Sequence, residues 1–173
     1  MGKAAAEAYL RILLGEKAVC LRMFNVYGSG QDMDNMRQGM VSIFVSQFLR
    51  QDTIVVKGDL ERFRDFIYID DVVDIWTILA ERADVYGPVN LCTGVKTTVQ
   101  DLLEELQRML GSRNIVVQRG TPGDQSGIYG DDTLVKTYRK NSNWTDLATG
   151  LSKMLNCLLK TDAHHNNWVE VLR

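Results

Sequence analysis

Histidine and cysteine are scarce in this sequence, and neither sign of charge dominates it. The two histidines, His164 and His165, stand side by side in a polar tail, which leaves a zinc site or a Ser-His-Asp triad almost no material to draw on. Three cysteines, Cys20, Cys92 and Cys157, are odd in number and lack metal-ligand spacing. The first two lie in apolar, strand-like runs, which suits reduced thiols better than a disulfide framework. Twenty Lys and Arg against 22 Asp and Glu leave a net charge of −2, so no global field recruits nucleic acid or an anionic membrane. An anionic ligand has to be held by a few local arginines. No apolar run approaches the roughly 18 residues that span a bilayer, and Met1 to Glu7 lacks the apolar core of a signal peptide. Both absences predict a cytoplasmic location. The Gly-x-Gly-x-x-Gly turn of a dinucleotide fold is missing too: Gly28-Ser29-Gly30 runs on into Gln31, Asp32 and Met33, and reads as a strand exit.

What is present describes an ordinary globular chain. Of 173 residues, 45% are hydrophobic and 24% charged, enough for one core. No repeat or linker interrupts it, which predicts a single compact unit. Residues 1–14 read as a helix closed by Gly15 and entered without an N-cap residue, as though it continued something longer. Arg22 to Tyr27 reads as a buried parallel strand, Met40 to Arg50 as a buried helix, and Thr53 to Val56 and Phe66 to Ile69 as strands. Asp70 is the expected cap of a helix through Val72, Ile75 and Leu79, with Trp76 in its buried face. Val89 to Cys92 and Asn114 to Gln118 are further strands. Between them Thr97 or Thr98 caps a helix whose Val99, Leu102, Leu103, Leu106 and Leu110 recur at helical spacing. Two short helices, 134–138 and 149–159, bracket Trp144, which reads as core. Alternating strands and helices imply α/β packing with crossovers.

Three polar clusters fall at strand ends, where open α/β sheets bind ligands. Asn25, within Phe24-Asn25-Val26-Tyr27-Gly28, offers a donor and an acceptor, although a turn asparagine would serve its own backbone equally. Arg62 and Arg64 precede the strand from Phe66, and the guanidinium fork suits phosphate oxygens; Asp65, Asp70 or Asp71 are the alternative partners for Arg64. The loop from Arg119 to Asp131 carries Asp124, a carboxylate for ribose or sugar hydroxyls or else an Asx-turn. Together the clusters suggest a cleft for a polar, phosphate-bearing small molecule.

The ordered motifs Gly2-Lys3 with Glu7, Leu21 to Gln31, Gly58-Asp59, Arg64-Asp65-Phe66-Ile67-Tyr68-Ile69-Asp70-Asp71, Val89 to Gly94 and Pro122-Gly123-Asp124 resemble the NAD-dependent epimerase/dehydratase family. These are the extended short-chain dehydrogenases/reductases that act on nucleotide sugars, and the resemblance covers roughly residues 2 to 160. It implies that Asn25 contacts the diphosphate and sugar of the substrate, that the backbone around Phe24 lies beside the nicotinamide, and that Arg64 grips the diphosphate. Asp124 matches the carboxylate of an Arg-Pro-Gly-Asp motif, but Thr121 stands where that motif has its arginine; Arg119 is the candidate substitute. Lys3 aligns with the lysine of the family's Tyr-x-x-x-Lys pair, which orients the nicotinamide ribose and lowers the tyrosine pKa.

That tyrosine, the catalytic Ser or Thr and the glycine-rich NAD turn would all precede Met1. The resemblance therefore implies the carboxyl-terminal, substrate-binding portion of an extended short-chain dehydrogenase with an incomplete NAD-binding Rossmann fold. Residues 1–30 would be the last helix and strand of that core and 31–173 the nucleotide-sugar region. The implied reaction passes through a keto-sugar, with UDP-sugar 4-epimerisation favoured and the isolated chain inactive. The alternative is a non-catalytic nucleotide-sugar-binding or assembly module. Core packing is the simplest role for at least half of Leu10, Leu13 and Leu14, although in relatives this helix often builds a dimer's four-helix bundle. Loss of the neighbouring strands would expose residues 1–28 and drive self-association into a homo-oligomer. No metal and no nucleic-acid partner is implied.

Overall fold

A computed structural model describes residues 2–37, 39–120, 122–139 and 143–161. His164, His165 and Trp168 lie outside them. In chain order the elements are α1 (Gly2–Leu14), a 3-10 turn (Gly15–Lys17), β1 (Val19–Met23), β2 (Asn25–Tyr27), α2 (Met40–Arg50), β3 (Thr53–Lys57), β4 (Phe63–Arg64), β5 (Phe66–Tyr68), α3 (Ile69–Ala80), β6 (Gly87–Leu91), β7 (Thr97–Thr98), α4 (Val99–Leu110), β8 (Asn114–Gln118), β9 (Gly127–Ile128), α5 (Thr133–Lys136) and α6 (Leu147–Thr161).

Three parallel pairs carry the α/β architecture: β1 with β6, β2 with β5 and β3 with β8. Parallel neighbours need crossovers, and α2, α3 and α4 supply them. A small mixed sheet, β7-β4-β9, joins the arginine segment to the late loop; strands of two residues leave too short a pattern to read from sequence. The single strand expected over 22–27 is broken at Phe24. There the Phe24 N–H donates to the Leu91 carbonyl (3.1 Å) and the next amide turns to the Asp65 carbonyl (3.1 Å), so the chain changes partner from β6 to β5. Nor is the run buried throughout: Tyr27 is, whereas Arg22 and Met23 are exposed.

The larger core lies between α2, α4 and α6 and the strands β3 and β5, and includes Phe44, Phe48, Ile54, Leu102, Leu106 and Leu151. A second cluster packs α3 on β6 through Val72, Ile75, Leu79, Val89 and Leu91. Helix α4 follows its sequence closely. Thr98 accepts from the Asp101 N–H (2.9 Å) while Asp101 accepts from the Thr98 N–H (2.9 Å), a reciprocal capping box.

Three expectations need correction. Helix α3 starts at Ile69 with Tyr68 before it and no side-chain cap. Asp70 instead reaches Lys153 at 3.5 Å, and buried Asp71 accepts from Arg139 (2.8 Å) and the Thr145 N–H (2.9 Å). Trp76 is 55% exposed, because it lies on the flank of the Val72–Ile75–Leu79 stripe, on the side of exposed Val73. Leu10, Leu13 and Leu14 do not enter a core: among the described residues α1 buries none of its own, and Leu13 is 75% exposed. The Glu7–Arg22 ion pair, 2.6 Å, ties α1 to β1. Trp144 is partly buried as expected, its indole N–H donating to Asp132 (2.8 Å) and its ring lying under Arg139 at 4.2 Å. None of the three cysteines is in a disulfide among the described residues; Cys92 is buried, which pushes its thiol up to about 12. No described helix is long and apolar enough to cross a membrane.

Candidate functional site

The start of β2 is built around a residue that the sequence offered only as a partner for Arg64. Asp65, between β4 and β5, is fully buried. Its carboxylate accepts from the Thr93 N–H (2.8 Å) and hydroxyl (2.7 Å), the Gly94 N–H (2.9 Å) and the Gly130 N–H (3.2 Å). Its own carbonyl accepts from the backbone N–H of Asn25 (3.1 Å) and from Asn25 Nδ2 (3.2 Å). One residue thus fixes the start of β2, the β6 exit and the late loop against each other. The signal in the sequence was a carboxylate running directly into the apolar Phe66-Ile67-Tyr68. Buried there without a cation, it has to be hydrogen-bonded.

Asn25, held this way, opens on a cavity of about 660 Å³. One wall is apolar, from Met36, Met40, Ile43 and Phe44; the rest carries Arg37, Lys57 and Arg62 with Asp124 as the acid. The exit from β2 is tight: a Cβ on Gly28 would come within 2.4 Å of Ile69 Cγ2, so Gly28 is a packing glycine as well as a strand exit. Tyr27, just before it, is no acid or base for this cavity. Burial, with Asp146, Tyr68 and Asp71 nearby, drives its pKa far above the ordinary value, and its hydroxyl finds no partner among the described residues.

Of the residues singled out from sequence, Arg64 and Asp124 come together, at 3.5 Å. Arg64 does not pair with Asp65, Asp70 or Asp71; its Nη1 and Nη2 donate to the carbonyls of Phe63 (2.8 Å) and Gln125 (3.3 Å). It is Arg62 that lines the Asn25 cavity and forms the closer ion pair with Asp124. Arg119 is exposed just after β8 and does not line this cavity. Thr121 lies outside the described residues. Phe24 is half-buried at the β1–β2 break, and a Cβ on Gly130 would come within 2.7 Å of its ring. Lys3 stands exposed on α1. Lys3, Phe24 and Asn25 could border a nicotinamide, but the described residues hold no glycine-rich turn for the pyrophosphate of NAD. Among them, too, no group of three or more His, Cys, Asp or Glu could hold a metal ion.

Known proteins share this chain's fold. Residues 1–92 match the NAD dependent epimerase/dehydratase family. The dTDP-4-dehydro-6-deoxyglucose reductase of Escherichia coli is 30% identical over 119 residues, which are 67% of this chain and 37% of the reductase. Among solved structures, the UDP-glucose 4-epimerase of Thermotoga maritima with UDP-glucose superposes with a TM-score of 0.79 at 32% identity, over 91% of this chain and 52% of the epimerase. The UDP-N-acetylglucosamine 4-epimerase of Methanobrevibacter ruminantium, in complex with UDP-N-acetylmuramic acid, gives 0.82 at 26% identity, over 91% and 52%. The chain spans about a third to a half of the length of the curated relatives it matches. With more than half of its residues matched by one family and its fold laid over that family's epimerases, this chain belongs to the NAD-dependent epimerase/dehydratase family.

Proposed function

We propose that these residues form the nucleotide-sugar-binding part of an NAD-dependent epimerase/dehydratase, with UDP-sugar 4-epimerisation through a keto-sugar as its reaction. The observation that carries this reading is the Asn25 cavity, where an apolar wall able to take a base meets three cations and one carboxylate. Asn25 would hydrogen-bond the diphosphate and sugar, Arg64 would grip the diphosphate, Asp124 would accept from hydroxyls, and Arg119 would add charge at the rim. Lys3 would orient the nicotinamide ribose, with the Phe24 backbone beside the ring. Bound NAD supplies hydride acceptance; this chain's residues bind and orient the sugar for it. Residues 1–30 serve as the edge of the NAD-binding core and 31–173 as the substrate region, in a cytoplasmic protein. The 173 residues alone do not turn substrate over, because the sequence has no Tyr-x-x-x-Lys pair ending at Lys3 and no glycine-rich turn.

The test is calorimetric titration of the chain with UDP-, GDP- and dTDP-sugars, with Arg64→Ala beside it. A UDP-sugar heat lost in the variant supports the reading; silence across the panel in a folded sample overturns it. The exposed apolar face of α1 favours a second reading, a non-catalytic nucleotide-sugar-binding or assembly module that forms homo-oligomers through residues 1–28. Restoration of turnover by an added amino-terminal half would sink it.

A further inference from the structure

We infer that Asp65, fully buried and lining none of the cavity, is a positioning residue of the site: it sets where Asn25 stands relative to Phe24 and to the late loop that carries Asp124. The inference rests on the nucleotide-sugar reading above and adds the group that holds its parts in register. Three ladders meet around Asp65. Strand β2 pairs with β5, β6 with β1 and β9 with β4, and among the described residues no ladder joins β2, β6 and β9 to one another. The Asp65 carboxylate bridges them. Its Oδ1 accepts from the Thr93 N–H and hydroxyl, and its Oδ2 from the N–H groups of Gly94 and Gly130. These donors fill the roughly four lone-pair sites of a carboxylate, so the group has no second orientation to turn to. The Thr93 hydroxyl accepts in turn from the Val95 N–H (3.2 Å), which extends the brace into the β6 exit.

Both sides of the site hang on this anchor. On the substrate side, the Asp65 carbonyl takes the Asn25 N–H and one hydrogen of Asn25 Nδ2. That bond fixes the rotation of the Asn25 amide and leaves its oxygen and second N–H for a ligand. Arg64 directly precedes Asp65 in the chain, so its backbone is set by the same anchor. On the other side, a Cβ on Gly130 would come within 2.5 Å of Cys92 Sγ and 2.7 Å of the Phe24 ring. Bare backbone at Gly130 therefore lets the late loop close on Phe24 while its N–H reaches Asp65. The junction requires a carboxylate. An amide of the same size has one oxygen and would turn N–H donors toward N–H donors, losing the bonds of one whole oxygen.

The experiment compares the full chain with Asp65→Asn and with Leu103→Ala, a core change in α4 that does not line the cavity. Each is followed by calorimetry with UDP-, GDP- and dTDP-glucose, by thermal melting, and by the Asn25 side-chain amide signal in a nitrogen-correlated NMR spectrum. The inference predicts that Asp65→Asn shifts the Asn25 signal and weakens the bound sugar nucleotide at least about fivefold. Leu103→Ala should lower the melting temperature yet leave the signal in place and the affinity within about twofold. A folded Asp65→Asn that keeps the Asn25 signal or loses less affinity than that, or a Leu103→Ala that loses as much, overturns this inference and leaves the nucleotide-sugar reading standing. A folded wild type that binds none of the three overturns both. Should Asp65→Asn fail to melt cooperatively, Thr93→Val, which removes one of the donors, decides: an unmoved Asn25 signal or a loss below about twofold overturns the inference.

Discussion

Helices α1 and α4 are nearly equal in length, 13 and 12 residues, and both carry leucines at helical spacing, yet they stand in opposite circumstances. Helix α4 buries Val99, Leu102, Leu103, Leu106 and Leu110 against α2 and α6, and closes its first turn with a capping box. Helix α1 buries nothing among the described residues and leaves Ile12 at 77% exposure. A stripe of leucines marks which face of a helix wants cover. It does not carry the surface that provides the cover, and stability comes from that surface.

The contrast can be broken by mutation. Leu103→Ala, at a position about 1% exposed, should cost about 3 kcal/mol, read as a fall in the urea midpoint. If self-association covers α1, the double change Ile12→Lys and Leu13→Lys should weaken it at least tenfold, roughly 1.4 kcal/mol, as followed by sedimentation. A chain that is monomeric at high concentration before mutation would remove the premise. Thr98→Ala, which takes away one half of the α4 capping box, should cost about 1 kcal/mol.

Asp146 sharpens the same comparison at a third helix. It accepts from the Thr149 N–H and hydroxyl, both at 2.8 Å, at the start of α6. Those bonds hold its carboxyl below the ordinary 3.8. A depressed folded-state pKa contributes stability that is complete above 3.8 and is lost as pH falls through the lower folded value. Asp146→Asn should lower the neutral-pH melting point slightly and flatten its decline toward pH 3. The smallest effect belongs to Leu13→Ala, within about 0.5 kcal/mol in the monomer; a loss approaching that of Leu103→Ala would mean that α1 is packed in solution.

Much of this was legible in the residues. Helices α2 and α4 and strand β8 end where the apolar pattern and Thr98 said they would, since periodicity and capping are local physics. Trp76 was misread because one apolar residue beside a stripe looks like part of it until the stripe's direction is known. Asp65 was missed for a different reason. Its four donors come from Thr93, Gly94 and Gly130, 28 to 65 positions away, and no local pattern reports them. Arg62 and Asp124, 62 apart, met for the same non-local reason, and Asn25, expected near the carboxyl end of one strand, begins β2 because the run breaks at Phe24.

The pairing of β1 with β6 has a consequence in time. Val19 sits opposite Gly87, 68 positions later, and among the described residues β1 has no other ladder partner. At about 5 to 20 residues per second, a ribosome needs roughly 3 to 14 seconds to make that interval. Until then Val19 to Met23 lacks the ladder that β6 gives it. Among the described strand pairs β1 has the widest separation, 68 positions from Val19 to Gly87 against 61 from Thr53 to Asn114 and 41 from Asn25 to Phe66, so it waits longest for its partner.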